Sequence, residues 1–467
     1  MPVNAFDQYP LTWKPDKSKL QPPYYRALAE DLEQKIRSGQ LQAGTKLPPQ
    51  REIADYLDLN YTTITRVYDI CKKKGLIYGT TGRGTFVAPH AGQHAAVTET
   101  DEADGAIELG VINGFGEYSD LVEKATSAVV ARGYLRNLYE YSQPTGHPHQ
   151  LAAGVRWMEQ LGTHTDAAHT AIFSGAQNAL TVALMALFSP GDKIAVDKYT
   201  YPNFIELAKL LHLVLIPVDM DEQGMLPAAL QKQCASNKLK GIYLIPTCAN
   251  PTAITMPLER RKALAEIIRR NGLILIEDDI VAWMLAAGGQ VLPSMFDIMG
   301  GESVYICGMT KSLCPGLRIA YMTYGEAFRE RILHALVNVN IKTSSFDAEV
   351  ITELILNGDA YQITRRKYEL AEKTCRLYDR YFPDHSPNSE AVSYYKWIPI
   401  RTDAPAEGIE GELLERGVHI YHSSRFVVGT EEPRAYLRVA LCSAGSARKL
   451  ERGLKILKGY LTEKGYI

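Results

Sequence analysis

The chain has 467 residues, 46% of them hydrophobic and 22% charged, with a formal net charge of −2. That balance excludes an intrinsically disordered chain and supplies core for two or three domains. Seven cysteines are scattered with no C-x-x-C pair, which reads as reduced thiols in a cytoplasmic protein, and no apolar run has signal-peptide or membrane-span length, so no membrane partner is expected.

The charge is uneven. Residues 1–90 hold 13 Lys+Arg against 9 Asp+Glu, and the remainder holds 38 against 44. A basic head on an acidic body points to a polyanionic partner at the N-terminus, although a solvated face gives the same imbalance. The pattern has to decide.

"PPYYRALAEDLEQKIRSGQL" spaces Leu28, Leu32 and Ile36 for one helix, with Gly39 just past its end. A second helix is expected from Gln50 to Leu57. Asn60 then caps a third, with Ile64, Val67, Tyr68 and Cys71 facing inward and Gly75 closing it. "GLIYGTTGRGTFVAP" reads as two short strands around a Gly-rich turn. This is a helix-turn-helix with a hairpin wing. Its third helix would present Tyr61, Thr62, Thr63, Thr65 and Arg66 to a major groove, while Arg51 would meet phosphate and Arg83 the backbone or minor groove. The spacing alone fits a small packing domain equally well. Residues 89–106, "PHAGQHAAVTETDEADGA", lack apolar periodicity and read as a flexible tether.

From residue 107 onward, apolar runs such as "DKIAVD", "LVLIPVD", "GIYLIP", "LILIEDD" and "SVYICG" alternate with helical stretches, the texture of an α/β domain with a mostly parallel sheet. Function in such sheets gathers at the carboxyl ends of strands. The Ser174–Gly175–Ala176 turn precedes a helix and could hold a phosphate through backbone N–H groups. Tyr201, Asn250, and the Asp278–Asp279 pair each follow or end a run. Taken singly, Tyr201 fits the core, and the two carboxylates fit a metal, an acid/base pair or a cation partner, with no histidine nearby to favour metal. Together with Lys311 and Arg318 they form a set that pyridoxal 5′-phosphate (PLP) explains. The lysine would join the aldehyde as an imine, Arg318 would fork onto phosphate, and an aspartate would keep the pyridine nitrogen protonated.

The stretch "LPPQREIADYLDLNYTTITRVYDICKKKGLIYGTTGRGTFV" resembles the winged helix-turn-helix of the GntR family of bacterial regulators nearly end to end. With "YSQPTGHPHQLAAGVRWMEQLG", "SGAQNAL", "NPTAITMPLERR", "IEDD", "TKSLCPGLRIAYM" and "YLRVALCSA", residues 21 to about 460 resemble the MocR/GabR subfamily, a winged head fused to a fold-type I aminotransferase-like body. The resemblance implies a winged helix-turn-helix over 21–88, the tether, and over 107–467 a PLP-binding, dimer-forming body with a central sheet and a smaller C-terminal α+β subdomain. It makes Lys311 the aldimine lysine, Asp278 the pyridine partner, Asn250 the donor to the phenolic oxygen, Tyr201 the stacking ring and Arg318 the phosphate ligand. It places Arg438 against the α-carboxylate of an amino-acid effector and Tyr141 against the phosphate bound by a neighbouring subunit.

Three departures stand out: Tyr61 where a recognition-helix arginine is common, Ile280 where relatives carry a tyrosine that bonds the phenolic oxygen, and Ala253 in place of a glycine. The expected function is a cytoplasmic regulator that binds double-stranded promoter DNA and senses PLP or an amino acid or amine at Lys311 as a homodimer, without physiological turnover. The alternatives are a working aminotransferase with a DNA tether and a dimerisation scaffold that binds no PLP.

Overall fold

A computed structural model describes residues 11–37, 40–42, 44–73, 76–80, 83–88, 106–116, 118–141, 143–383, 392–401, 406–429 and 435–467. The chain divides into two compact units, Met1–Ala95 and Ala96–Ile467. The expected tether lies outside the described residues except for Ala106. No helix among the described residues is long and apolar enough to cross a membrane.

In the first unit, α1 (Tyr24–Arg37), β1 (Lys46–Leu47), α2 (Gln50–Leu57), α3 (Tyr61–Lys73), β2 (Ile77–Thr80) and β3 (Gly84–Val87) follow in order. The helices form where the sequence places them because one stripe of each is apolar: Leu28, Leu32, Ile53, Leu57, Ile64, Val67 and Tyr68 are all buried in one core. Asn60 caps α3, its Oδ1 accepting from the Thr62 N–H at 3.1 Å. The wing is a three-stranded sheet of order β1-β3-β2, so the expected hairpin gains a third strand from between the first two helices. Gly39 and Gly75, expected to close two helices, lie outside the described residues. The core also takes in Trp13, fully buried upstream of the 21–88 span, with its indole N–H donating to Asp31 Oδ2 at 2.7 Å.

The second unit is built on seven strands: β4 (Thr170–Phe173), β5 (Lys193–Asp197), β6 (Val214–Val218), β7 (Leu239–Leu244), β8 (Ile274–Asp278), β9 (Val304–Gly308) and β10 (Ala320–Tyr324). Their order is β4-β10-β9-β8-β7-β5-β6, parallel except for β10, which runs antiparallel to both neighbours. Strands β4, β8, β9 and β10 are buried along their whole length, as expected of strands covered on both faces. Three helices position or brace the site: α4 (Ala176–Leu187), the short α5 (Met309–Ser312) and the long α6 (Asp359–Tyr381). A smaller antiparallel sheet, β11 (Tyr395–Ile400), β12 (Tyr421–His422) and β13 (Ala435–Ala440), packs with α7 (Ala447–Glu463) around Ile398, Leu437, Val439, Leu454 and Leu457. Ile107–Glu108 pairs in parallel with Val418–His419, so the first residues after the tether belong to this smaller layer.

Candidate functional site

Five strand ends deliver side chains to one edge of the large sheet. The parallel strands present their carboxyl ends there. Ser174–Gly175–Ala176 follow β4, Tyr201 follows β5, Asn250 follows β7, Asp278 ends β8 and Lys311 lies in α5 just past β9. Arg318 stands just before β10 and reaches the same edge because that strand is reversed. Ala176, Tyr201, Asn250, Asp278, Lys311 and Arg438 line one cavity of about 230 Å³, together with Val111, Ile112, Asn113, Ile280, Val281, Tyr394 and Tyr395.

Lys311 Nζ donates to the Ile112 carbonyl. Burial lowers its pKa, the Cys442 thiol opposes that fall, and the cations of Arg438 and Arg318 add to it. A lysine so placed gives up its proton more readily and gains nucleophilic character. The backbone beneath it is braced by Lys367, whose ammonium donates to the carbonyls of Lys311 at 3.2 Å and Leu313 at 2.8 Å.

Asp278 is fully enclosed. Its Oδ2 accepts from the Tyr243 hydroxyl at 2.8 Å, while Oδ1 finds no partner among the described residues. Burial pushes the carboxyl up to about 7 against the pull of that hydrogen bond. The adjacent Asp279 is spent on structure, Oδ1 accepting from the Ala282 N–H at 2.8 Å and Oδ2 from the Thr247 hydroxyl at 3.2 Å. The two neighbouring carboxylates therefore serve different ends. Tyr201 is pushed up to about 12, first by burial and then by the Asp278 charge.

Arg438 is completely buried. One terminal nitrogen donates to Asn250 Oδ1 at 2.7 Å and the other to the Gly110 carbonyl at 2.6 Å, while Nε has no partner among the described residues. Burial brings its pKa down to about 10, and the groups that offset this are tyrosines and a thiol rather than a carboxylate. A buried guanidinium without a counter-anion among the described residues is costly, and a ligand carboxylate would relieve it.

Next to the cavity, Gly175 has φ 87°, and a Cβ there would lie 2.7 Å from Arg318 Nη2. Glycine thus serves twice: it adopts the left-handed turn and lets the guanidinium lie against the N-terminus of α4, which has no side-chain cap among the described residues. Ser174 is engaged within the protein, its N–H donating to Asn178 Oδ1 at 3.1 Å and its hydroxyl accepting from Asn340 at 2.9 Å. Ser174, Gly175 and Arg318 flank the cavity rather than line it. Tyr141 is not brought to it: the ring is 86% exposed and borders a separate surface hollow with Lys342. Ile280 lines the cavity with an aliphatic face, and Ala253 holds φ 59°, a conformation in which glycine carries no steric penalty.

Sequence reasoning missed Tyr243, Lys367, Tyr394, Tyr395 and the Val111–Asn113 segment. Two had a signal. Tyr243 is the one hydroxyl in the buried run "GIYLI", and Lys367 falls on the inward stripe of α6 with Ile363 and Ala371. The 111–113 segment carried none, since only folding brings it over the cavity.

On the head, the residues expected to contact DNA differ in exposure. Tyr61, Thr62 and Arg66 are exposed, Thr63 and Thr65 half-buried, and Arg51 and Arg83 exposed. Two are less free than a linear reading suggests. The Thr65 hydroxyl lies 2.9 Å from Gln50 Oε1 and 3.1 Å from the Tyr61 carbonyl, tying α3 to α2. The Arg66 guanidinium lies over the Tyr25 ring at 3.9 Å.

Residues 112–457 match the family model "Aminotransferase class I and II", and residues 24–87 match "Bacterial regulatory proteins, gntR family". An uncharacterized HTH-type transcriptional regulator of Bacillus subtilis, YdeF, is 34% identical over 99% of this chain and 100% of its own. A 2-aminoadipate transaminase of Thermus thermophilus is 25% identical over 73% of this chain and 88% of its own. Among solved structures, the α-aminoadipate aminotransferase LysN from Thermus thermophilus, complexed with N-(5′-phosphopyridoxyl)-L-leucine, superimposes with a TM-score of 0.69 at 21% identity, covering 84% of this chain and 98% of that one. That likeness is one of fold.

Proposed function

The chain belongs to the class I and II aminotransferase family and carries a GntR-family head at its N-terminus, and on that premise we propose that it is a cytoplasmic transcription regulator that reads amino-acid or amine availability through PLP. The observation that carries this reading is the convergence on one cavity of Lys311, Asp278 with its unpartnered Oδ1 and the buried Arg438 with its unpartnered Nε, in a chain that also bears a GntR-family head.

The residues fit PLP. Lys311 supplies the amine, Asp278 Oδ1 a buried acceptor for the pyridine N–H, Tyr201 a flat face, and Arg318 with the N-terminus of α4 a cradle for phosphate. When bound, the cofactor supplies an aldehyde that condenses with amines and a ring that withdraws electrons. The protein's own part is to lower the Lys311 pKa through burial, to wall the cavity with Tyr394, Tyr395 and the 111–113 segment, and to offer Arg438 to an effector carboxylate. An effector amine would compete with Lys311 for that aldehyde, and Lys311 would then stand as a free amine in the cavity. Differential affinity for the two body states then biases DNA binding. Tyr141 serves the partner subunit's site in a homodimer.

Ile280 separates regulator from enzyme. It offers no hydrogen bond to the cofactor's phenolic oxygen, and such a bond to a charged group contributes about 1.5–3 kcal/mol. Covalent capture at Lys311 survives that loss better than rapid turnover does.

The test is promoter-fragment affinity of the PLP-loaded chain across a panel of amino acids and amines. At least one compound is expected to change affinity severalfold while an added oxo acid yields no sustained product. Sustained transamination with DNA affinity indifferent to every compound would overturn the reading.

A further inference from the structure

We propose that Tyr243 is a positioning residue for Asp278: its hydroxyl occupies one carboxylate oxygen and so aims the other at the bound ring nitrogen. This role rests on the PLP reading of the cavity.

Strand register makes the contact. Tyr243 on β7 pairs with Ile276 on β8, and Asp278, two residues further along, projects from the same face. A diagonal neighbour lies within reach of an aromatic side chain, and the hydroxyl meets Oδ2 at 2.8 Å. The ring cannot swing away. It is fully buried and stacked on Phe204 with centroids 3.6 Å apart and planes 6° from parallel. Among the described residues Tyr243 is the side-chain donor to Oδ2, and Oδ1 is left without a partner on the residue that lines the cavity. Without the hydroxyl, the carboxylate could turn about its last torsion, and burial would favour its protonated form. Besides Asp278, Tyr201 and Asp197 act on Tyr243, and both add negative charge if ionised, so neither replaces the donor.

The experiment compares full-length protein with Tyr243→Phe, which keeps the ring and its stack and removes only the hydroxyl. Three readouts are taken on protein loaded with ring-¹⁵N PLP: the nitrogen chemical shift, the pH midpoint of the visible band, and the Kd for PLP. The nitrogen is expected to move toward its unprotonated shift. The midpoint should rise, because a ring with less positive charge withdraws fewer electrons from the chromophore. The Kd should weaken about tenfold. If Tyr243→Phe does not fold, Phe204→Leu, which loosens the ring and keeps the hydroxyl, is read in its place and must move the nitrogen shift in the same direction. An unchanged nitrogen shift and midpoint in a folded variant overturns the positioning role while the PLP reading stands. A wild-type protein that takes up no PLP overturns the PLP reading itself.

Discussion

The cavity around Lys311 and the outward face of α3 use charge in opposite ways. In the cavity and the strand beside it, Asp278, Arg438 and Asp197 are buried, and burial moves each toward its neutral form. Asp278 and Arg438 each keep one atom without a partner among the described residues. On the head, Arg51 and Arg66 are exposed on helices whose other faces form the core, and Arg83 is exposed in the turn before β3. Their charge is cheap in water, and the scaffold fixes their position. A buried site is therefore defined by what it leaves unsatisfied, and a surface site by what it projects.

The sharpest break in that comparison is Lys311→Ala. Retained visible colour after dialysis against buffer should vanish completely, and DNA affinity of the cofactor-free protein should stay as it was. Colour that survives the substitution would mean the amine is elsewhere.

Trp13→Ala attacks the head alone. Removing a fully buried indole should cost about 3–5 kcal/mol. Denaturant unfolding read by far-UV circular dichroism should show an earlier transition for the head, with PLP uptake by the body unchanged.

The pH dependence sharpens the buried side. Asp197 and Asp278 have ordinary values of 3.8 and are each raised to about 7 by burial. Between those limits the folded protein holds protons that the unfolded chain has released. Their contribution to stability is thus complete below the ordinary value and lost as pH climbs through about 7. The Tm of the PLP-free protein should fall as pH rises from about 5 to about 8. PLP should flatten the part of the slope due to Asp278, because a ring N–H favours its charged form. A Tm rising over that range would contradict both shifts.

The smallest effect belongs to the exposed side. Arg66→Ala should weaken promoter binding about tenfold and reduce the slope of log affinity against log salt by about 1. Fluorescence anisotropy at several salt concentrations measures both. An unchanged slope would mean that Arg66 remains on Tyr25 in the complex.

Much of the molecule was legible before folding. The helices of the head and five of the seven large-sheet strands follow from apolar spacing, which responds to burial on one face or two. The site was legible where each residue follows a strand end: Lys311, Asp278, Asn250 and Tyr201 do converge. Strands β4 and β10 were not singled out, because β4 is only four residues long and β10 sits amid the site motif itself. Trp13 escaped because it lies in a polar, Pro-broken stretch with no periodicity to place it. Tyr141 shows the converse: the role expected of it belongs to a second subunit's site, and one chain leaves it exposed.

Local chemistry alone determined which elements form and which residue types are available: one amine among small residues, a carboxylate at a strand end, a cap before a recognition helix. The tertiary structure decided which atoms are free. It turned β10 so that Arg318 meets Gly175, spent Asp279 on the backbone while leaving Asp278 Oδ1 open, and laid the 111–113 segment over the cavity. The reason is range. Periodicity and capping act over a few residues, whereas desolvation and hydrogen-bond satisfaction depend on neighbours far away along the chain.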